Sequence, residues 1–259
     1  MDIERYISDK KKIIDKALDR YLPKSSLKPG IIHKAMRYSV FPGGKRIRPV
    51  FTIAGFEACG GDDDSALPVA CGIELIHSYT LVHDDMPCMD NDDFRRGKET
   101  CHKKFGEDMA LLAGDGLLTL AFQVIADSGN IEVIKEISRA VGTRGTIGGQ
   151  VADISGKSSD IDYINLKKTA VLFEIAVKSG GIIKGADERK IKALGDFGRD
   201  IGIAFQLLDD LKDKEGYAKF YGSVCAKEKA GVAVKKAKSH LKIFGNKAEN
   251  LLNLAGTMM

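Results

Sequence analysis

Apolar positions recur along this chain with a helical period almost throughout. Residues 2–21 carry them at spacings of three and four, predicting a first helix that Pro23 stops. The same spacing predicts helices over residues 27–40, 49–59 and 65–83, with Phe41-Pro42-Gly43-Gly44 and Gly60-Gly61 as breaks between them. Further helices are predicted over 105–126, 131–154, 160–178 with Asp160 as N-cap, 187–212, 224–244 and 248–255. No stretch reads as a strand, and no fixed-period repeat is present. The expected fold is all-α: one large helical bundle over residues 1–259, a single domain with a central cavity between facing helices.

Glycine interrupts two of these helices, Gly114 and Gly116 in one and Gly142, Gly145, Gly148 and Gly149 in the next. Each costs helix stability, so their number points to close helix packing or to a bound group that needs room.

Two helices end in carboxylates. The helix over 65–83 runs into Asp84, Asp85, Asp90, Asp92 and Asp93, followed at once by Arg95 and Arg96. Pro87 lies inside that run, so the helix is expected to deform or stop there. The helix over 187–212 ends in Asp209-Asp210-Leu211-Lys212-Asp213. Asp209 and Asp213 stand at i and i+4, on one helix face. So many like charges at a helix end repel one another unless a cation neutralises them. Carboxylate oxygens suit hard ions, and magnesium typically takes a few carboxylates while sharing its other positions with phosphate and water. Asp62-Asp63-Asp64, beside Gly60-Gly61, reads instead as a solvated loop.

Composition narrows the classes. The formal charge of +4 is spread over the chain, with no basic stripe that calls for nucleic acid. Five cysteines, an odd number without metal-type spacing, suit reduced thiols in the cytoplasm. Cys101-His102 with Cys88 and His83 is the alternative zinc set, and it lacks the usual spacing. The first twenty residues are charged and amphipathic, unlike a secretory leader, and no uninterrupted apolar run reaches bilayer length. A cytoplasmic protein without a membrane span is the expectation.

Five motifs in order carry a resemblance: Gly43-Gly44-Lys45-Arg46-Ile47-Arg48-Pro49; Asp84-Asp85 through Asp90 with Arg95-Arg96-Gly97; Gly148-Gly149-Gln150; Lys168-Thr169; and Phe205-Gln206-Leu207-Leu208-Asp209-Asp210. Together they resemble the trans-isoprenyl diphosphate synthases, and most of all the bacterial farnesyl diphosphate synthases. That resemblance implies a bundle of the isoprenoid synthase type, a homodimer, and magnesium (or manganese) as cofactor. It implies a reaction in which an allylic diphosphate ionises and isopentenyl diphosphate attacks the carbocation. Asp84, Asp85 or Asp90 and Asp209 would hold the metal ions, with Asp213 acting at longer range. Arg95, Lys168 and Thr169 would contact the allylic diphosphate, with Gln206 nearby. Lys45, Arg48, His77 and Arg96 match the positions for isopentenyl diphosphate, where the planar fork of arginine suits phosphate. A hydrogen-bonded core histidine is the competing reading of His77. No protein base is nominated, since the departing pyrophosphate takes the proton in this family.

Tyr79 and Ser78 lie five and six residues before Asp84, more than a helical turn deeper. In the resembling family a bulky aromatic at this depth shortens the product, so Tyr79 implies the fifteen-carbon farnesyl diphosphate. Geranylgeranyl diphosphate is the rival product, and a non-catalytic partner subunit the rival role. A class I terpene cyclase is a third class, and its Asn/Ser/Glu metal motif is not evident. One departure stands out. The family's glycine- and lysine-rich loop after the second acidic cluster is missing, with roughly fifteen to twenty residues fewer at Gly216–Tyr217. Either the loop is lost, or a mobile segment of the natural protein lies outside this sequence; an intact mass clearly above 28.1 kDa would show the second. The 156–159 stretch looks shortened as well.

Overall fold

A computed structural model describes residues 2–41, 44–156 and 160–257. Pro42-Gly43, and Lys157 to Ser159 of the stretch expected to be short, lie outside the described residues. The chain forms two compact units, Met1–Val50 with Leu67–Gly129 and Phe51–Ala66 with Asn130–Met259.

In the first unit, α1 (Ile3–Tyr21) starts where the Asp2 carboxylate accepts the Glu4 N–H at 3.0 Å, and it buries Tyr6, Ile14, Ala17 and Leu18. Next come α2 (Gly30–Val40) and α3 (Ile47–Ala58), whose later half belongs to the second unit. Then α4 (Leu67–Asp84) is apolar on almost every side and is buried along most of its length. It packs against α6 (Glu107–Ala126), which follows the short α5 (Cys101–Phe105). By length and composition α6 reaches membrane-span dimensions, with a mean hydropathy of 1.7. Its Ala113, Gly114, Leu117 and Ala121 are buried in a helix pair, and Glu107, Asp108 and Asp115 lie along it.

The expectation of no strand needs one correction. Between α4 and α5, β1 (Phe94–Arg95) pairs antiparallel with β2 (Lys98–Glu99), Arg95 opposite Lys98. Arg96 (φ 54°) and Gly97 (φ 75°) make the two-residue turn, and positive φ at both positions matches the twist of a tight hairpin. Two-residue strands are too short to leave an alternating pattern.

The second unit holds α7 (Ile131–Val141), α8 (Thr146–Ile154), α9 (Ile161–Ile164) and a π-helical turn over Asn165–Ala170. It continues with α10 (Val171–Lys184), α11 (Glu188–Asp213), α12 (Gly216–Tyr221), α13 (Ser223–His240), a 3-10 segment (Leu241–Ala248) and α14 (Glu249–Gly256). The predicted 131–154 helix is thus two helices, broken where Gly142 and Gly145 cluster. The long helix α11 packs against both α10 and α13. Phe51, Phe173 and Phe197 meet edge-on in this core, Phe51 being 5.9 Å from each of the others.

Candidate active site

At the end of α4 the chain turns back on itself. The Asp90 N–H donates to the Asp84 carbonyl at 2.9 Å, and the Asn91 N–H to that of Met86 at 3.1 Å. The fold-back sets Asp90, which is exposed, beside the partly buried Asp84. Asp85 points elsewhere. It is buried, and Arg95 Nε donates to its carboxylate at 2.6 Å while the same guanidinium reaches Asp92 at 3.3 Å. Burial raises the Asp85 carboxyl above its ordinary pKa, and Arg95 opposes that rise. Asp93 is ion-paired with Lys103 at 2.8 Å. Of the five carboxylates, Asp85, Asp92 and Asp93 therefore bind the arginine hairpin and its flank, and Asp84 and Asp90 share the outer rim.

Positive charge gathers in the same unit. Arg46 is buried in the left-handed region (φ 52°) and is held by Asp15 at 2.8 Å, Glu74 at 2.5 Å and the Val40 carbonyl at 2.8 Å. That anchorage fixes the segment from Lys45, which is exposed, into the first turn of α3 at Arg48. Arg48 Nη1 lies 3.4 Å from His77 Nε2. A guanidinium only donates, so Nε2 is the acceptor and neutral His77 carries its proton on Nδ1. A Cβ at Gly44 would meet the Arg96 guanidinium at 2.6 Å, so the bare glycine lets Arg96 lie over that loop. Burial first, then Arg48, Arg96, Arg95 and Arg46, press the His77 pKa well below its usual value. Four arginines thus gather round a neutral imidazole, a cationic set whose charge suits a diphosphate.

Tyr79 and Ser78 are both buried but have different neighbours. Ser78 donates to the Glu74 carbonyl at 2.8 Å and lines a cavity with Leu81, Val82, Asp85 and Arg95. The Tyr79 ring stands edge-on to His83 at 5.8 Å, and burial followed by the Asp84 carboxylate pushes its phenol up to about 12. His83 Nε2 in turn lies 3.1 Å from the Leu111 carbonyl, and His102 Nδ1 3.0 Å from the Thr100 hydroxyl.

In the second unit, the π-helical turn carries Lys168 and Thr169. There the Val171 N–H reaches back to the Leu166 carbonyl, one residue further than an α-helix allows. Lys168 Nζ donates to Asp153 on α8 at 2.5 Å. Thr169 Oγ1 donates to Gln206 Oε1 at 2.6 Å, and Gln206 Nε2 to Asp210 Oδ1 at 2.7 Å. Asp209 and Asp213 are exposed a turn apart on α11, whereas Asp210 is buried. Asp153 and Asp210 are the residues that sequence reasoning missed as partners of the site. Asp153 lies on another helix fifteen residues from Lys168, and Asp210 looked like one more carboxylate of an acidic run. The site residues therefore fall in two sets: Lys45, Arg48, His77, Asp84, Asp85, Asp90, Arg95 and Arg96 in the first unit, and Lys168, Thr169, Gln206, Asp209 and Asp213 in the second.

The carboxylates at the rims, Asp84, Asp90, Asp209 and Asp213, offer hard oxygen donors, with neither sulfur nor imidazole among them. That chemistry fits magnesium bound jointly with phosphate oxygens, in which the protein supplies only part of each coordination shell.

The polyprenyl synthetase family model matches residues 29–231. The chain is 42% identical to a farnesyl diphosphate synthase of Geobacillus stearothermophilus, covering 99% of this chain and 86% of that one. That alignment runs over 271 positions, more than the 259 residues here, so the bacterial enzyme has residues where this chain has none. Identity is 43% to the heterodimeric geranylgeranyl pyrophosphate synthase large subunit 1 of Arabidopsis thaliana, over 88% of this chain. The match spans only 65% of the plant protein's length. Among solved structures, an FPP/GFPP synthase of Zymomonas mobilis superposes with a TM-score of 0.92 at 34% identity, covering 98% of this chain and 97% of that one. With more than two thirds of its length matched by the family model and its helical fold shared with these synthases, the chain belongs to the polyprenyl synthetase family.

Proposed function

We propose that this protein joins isopentenyl diphosphate head-to-tail to dimethylallyl or geranyl diphosphate and releases farnesyl diphosphate. The observation that carries this reading is the chemistry of the two residue sets: a cationic cradle in the first unit, and hard carboxylate pairs with Lys168 and Thr169 for a diphosphate that must depart. Asp84 with Asp90 in the first unit, and Asp209 with Asp213 in the second, would hold magnesium, which would supply charge neutralisation for the departing pyrophosphate. Arg48, Arg96, Lys45 and His77 hold isopentenyl diphosphate. Arg95 and Lys168 are each held by a carboxylate, Asp85 or Asp153, and are placed to exchange it for the allylic diphosphate. The Gln206 and Thr169 oxygens supply negative dipole ends for the carbocation, and the apolar helix walls exclude the water that would capture it. No side chain acts as a dedicated base; the departing pyrophosphate takes the proton.

Tyr79 supports the fifteen-carbon product, because its buried ring stands below Asp84 on α4. Geranylgeranyl diphosphate is the second reading, favoured by the geranylgeranyl product named for the plant relative. A homodimer belongs to the same proposal. The test is product analysis of the purified protein with magnesium, isopentenyl diphosphate and each allylic diphosphate, with and without chelator. A metal-dependent fifteen-carbon product supports the reading, and a twenty-carbon product replaces Tyr79 as the limit. No condensation, or turnover that survives chelation, overturns it.

A further inference from the structure

Asp210 stands inside the second acidic cluster, yet both of its oxygens are turned inward. Oδ1 accepts the Gln206 amide at 2.7 Å, and Oδ2 accepts the Tyr217 N–H at 2.7 Å. Its side chain belongs to a buried residue, 6% exposed, while Asp209 beside it faces solvent. The link from α11 to α12 is folded around this carboxylate. Lys214 (φ 58°) closes α11 in the left-handed region, the Glu215 N–H returns to the Asp210 carbonyl at 3.1 Å, and Gly216 (φ 48°) passes directly over the carboxyl group. A Cβ at Gly216 would lie 2.5 Å from Asp210 Oδ2. The turn therefore requires glycine twice over, for its backbone angle and for the closeness of Asp210.

An ionised carboxylate accepts and never donates, so Asp210 settles a choice that Gln206 cannot make alone. The amide must turn its NH2 towards Asp210, which aims Oε1 at Thr169. Thr169 then has to donate its only hydroxyl proton to Oε1, at 2.6 Å. Both lone pairs of the Thr169 hydroxyl and the second lone pair of Gln206 Oε1 are left as acceptors. A group oriented this way presents oxygen rather than N–H or O–H hydrogen to a developing positive charge, with no reorganisation during the reaction.

We propose that Asp210 is a positioning residue for the condensation: it fixes the orientation of Gln206 and, through Gln206, of Thr169, and the Lys214–Tyr217 turn locks it in place. The proposal rests on the prenyl-transfer reading given above. In that role Asp210 binds no metal, and its effect passes entirely through Gln206.

The test is a double-mutant cycle of Asp210→Asn and Gln206→Ala, read by steady-state kinetics, magnesium titration and the share of allylic alcohol formed by water capture. An asparagine can present NH2 to Gln206 and invert the whole chain. Asp210→Asn is expected to lower kcat about tenfold or more, the scale of a misdirected buried hydrogen bond to charge. KM for isopentenyl diphosphate and the magnesium half-saturation stay within about twofold, and the alcohol share rises. In the Gln206→Ala background the same substitution adds less than about twofold, because the two act as one unit. Gly216→Ala leaves both side chains in place and displaces the carboxylate, with added backbone strain at φ 48° that lowers stability, so its kinetic signature is the same if Asp210→Asn fails to fold.

Wild-type kcat in Asp210→Asn, a full loss that persists in Gln206→Ala, or a shifted magnesium half-saturation would each overturn the positioning role. If the unmodified protein shows no condensation, the functional reading fails by itself. The orientation is then read from the Gln206 side-chain amide by NMR. One slowly exchanging, downfield proton that disappears in Asp210→Asn supports the lock, and a freely exchanging pair refutes it.

Discussion

Arg46 Nη1 donates to Glu74 Oε1 at 2.5 Å, and the two side chains are 1% and 3% exposed. An ion pair this deep has little water to fall back on. Removing one partner leaves the other charge stranded, which costs about 3–5 kcal/mol in comparable buried pairs, although replacing both with apolar groups is often neutral. Asp15 and the Val40 carbonyl still hold Arg46 from other sides, so Glu74→Leu is expected at the lower end, about 3 kcal/mol by denaturant unfolding. Arg46→Met with Glu74→Leu should cost less than the sum of the single changes. Strictly additive losses would show that the pair contributes no coupling. Under the proposed function, Arg46→Met should also raise KM for isopentenyl diphosphate more than it lowers kcat, because it frees the segment that joins Lys45 to Arg48 at the start of α3.

How legible this was in the sequence depends on the range of the interaction. The α1 and α11 helices follow from local rules: helical apolar spacing, an acidic N-cap at Asp2 or Asp187, and breakers beyond the end. The all-α class follows from the same spacing repeated. The Arg96-Gly97 hairpin did not, because its strands are two residues long and its first turn residue is an arginine at positive φ, rather than the asparagine that usually marks such a turn. The π-helical turn was equally hidden, since Asn165–Ala170 has no composition that separates it from α-helix. Gly142 and Gly145 mark the break between α7 and α8, although in the sequence they suggest close packing or room for a bound group inside one helix. The acidic clusters were visible as charge, but their division into rim carboxylates and buried partners depends on which way each side chain turns, and only the tertiary fold decides that.

His77 provides a pH test. Its folded pKa is depressed by burial and by the surrounding arginines. In the unfolded chain it takes up a proton near pH 6.5, so below that value the unfolded state binds more protons than the native one. The His77 contribution to stability is therefore present above about pH 6.5 and is lost as the pH falls. His77→Gln should flatten that part of the stability profile, measured by urea unfolding between pH 5 and 7.5. Pyrophosphate or isopentenyl diphosphate in the cradle places negative charge near the ring and should raise its pKa, visible in the imidazole NMR shifts. A ring that titrates normally in the free protein would contradict the cationic cradle.

Tyr79 sits on α4 with its ring against His83, and it is 6% exposed. Replacing it with alanine removes most of that buried ring at a cost of about 3 kcal/mol or more. Under the proposed function the freed volume admits a longer tail, and the product shifts from fifteen towards twenty carbons. Ser78→Ala, which alters the neighbouring cavity lined by Asp85 and Arg95, should leave the product length unchanged. Chromatography of the dephosphorylated products separates the outcomes. An unchanged product from Tyr79→Ala would remove that residue as the limit.

Gly149 faces the π-helical turn at its closest point. A Cβ there would lie 2.2 Å from the Lys168 backbone nitrogen and 2.7 Å from its Cα. Both are main-chain atoms, so no rotamer change can relieve the clash, and α8 must move away from the turn. Overpacking of this kind costs about 1–3 kcal/mol, partly offset by the better helix propensity of alanine. The functional loss should exceed the loss of stability. The same displacement separates Lys168 from Asp153 on α8, now 2.5 Å apart, and strains the turn that aims Thr169 at Gln206. Gly149→Ala is therefore expected to reduce kcat about tenfold or more while the protein remains folded at assay temperature. Gly256→Ala is the control: its Cβ meets nothing within 4 Å, so propensity alone acts and the change is neutral or slightly stabilising. If Gly149→Ala behaved like Gly256→Ala in both melting temperature and kcat, the tight seating of α8 on the Lys168 backbone would not be a working part of the site.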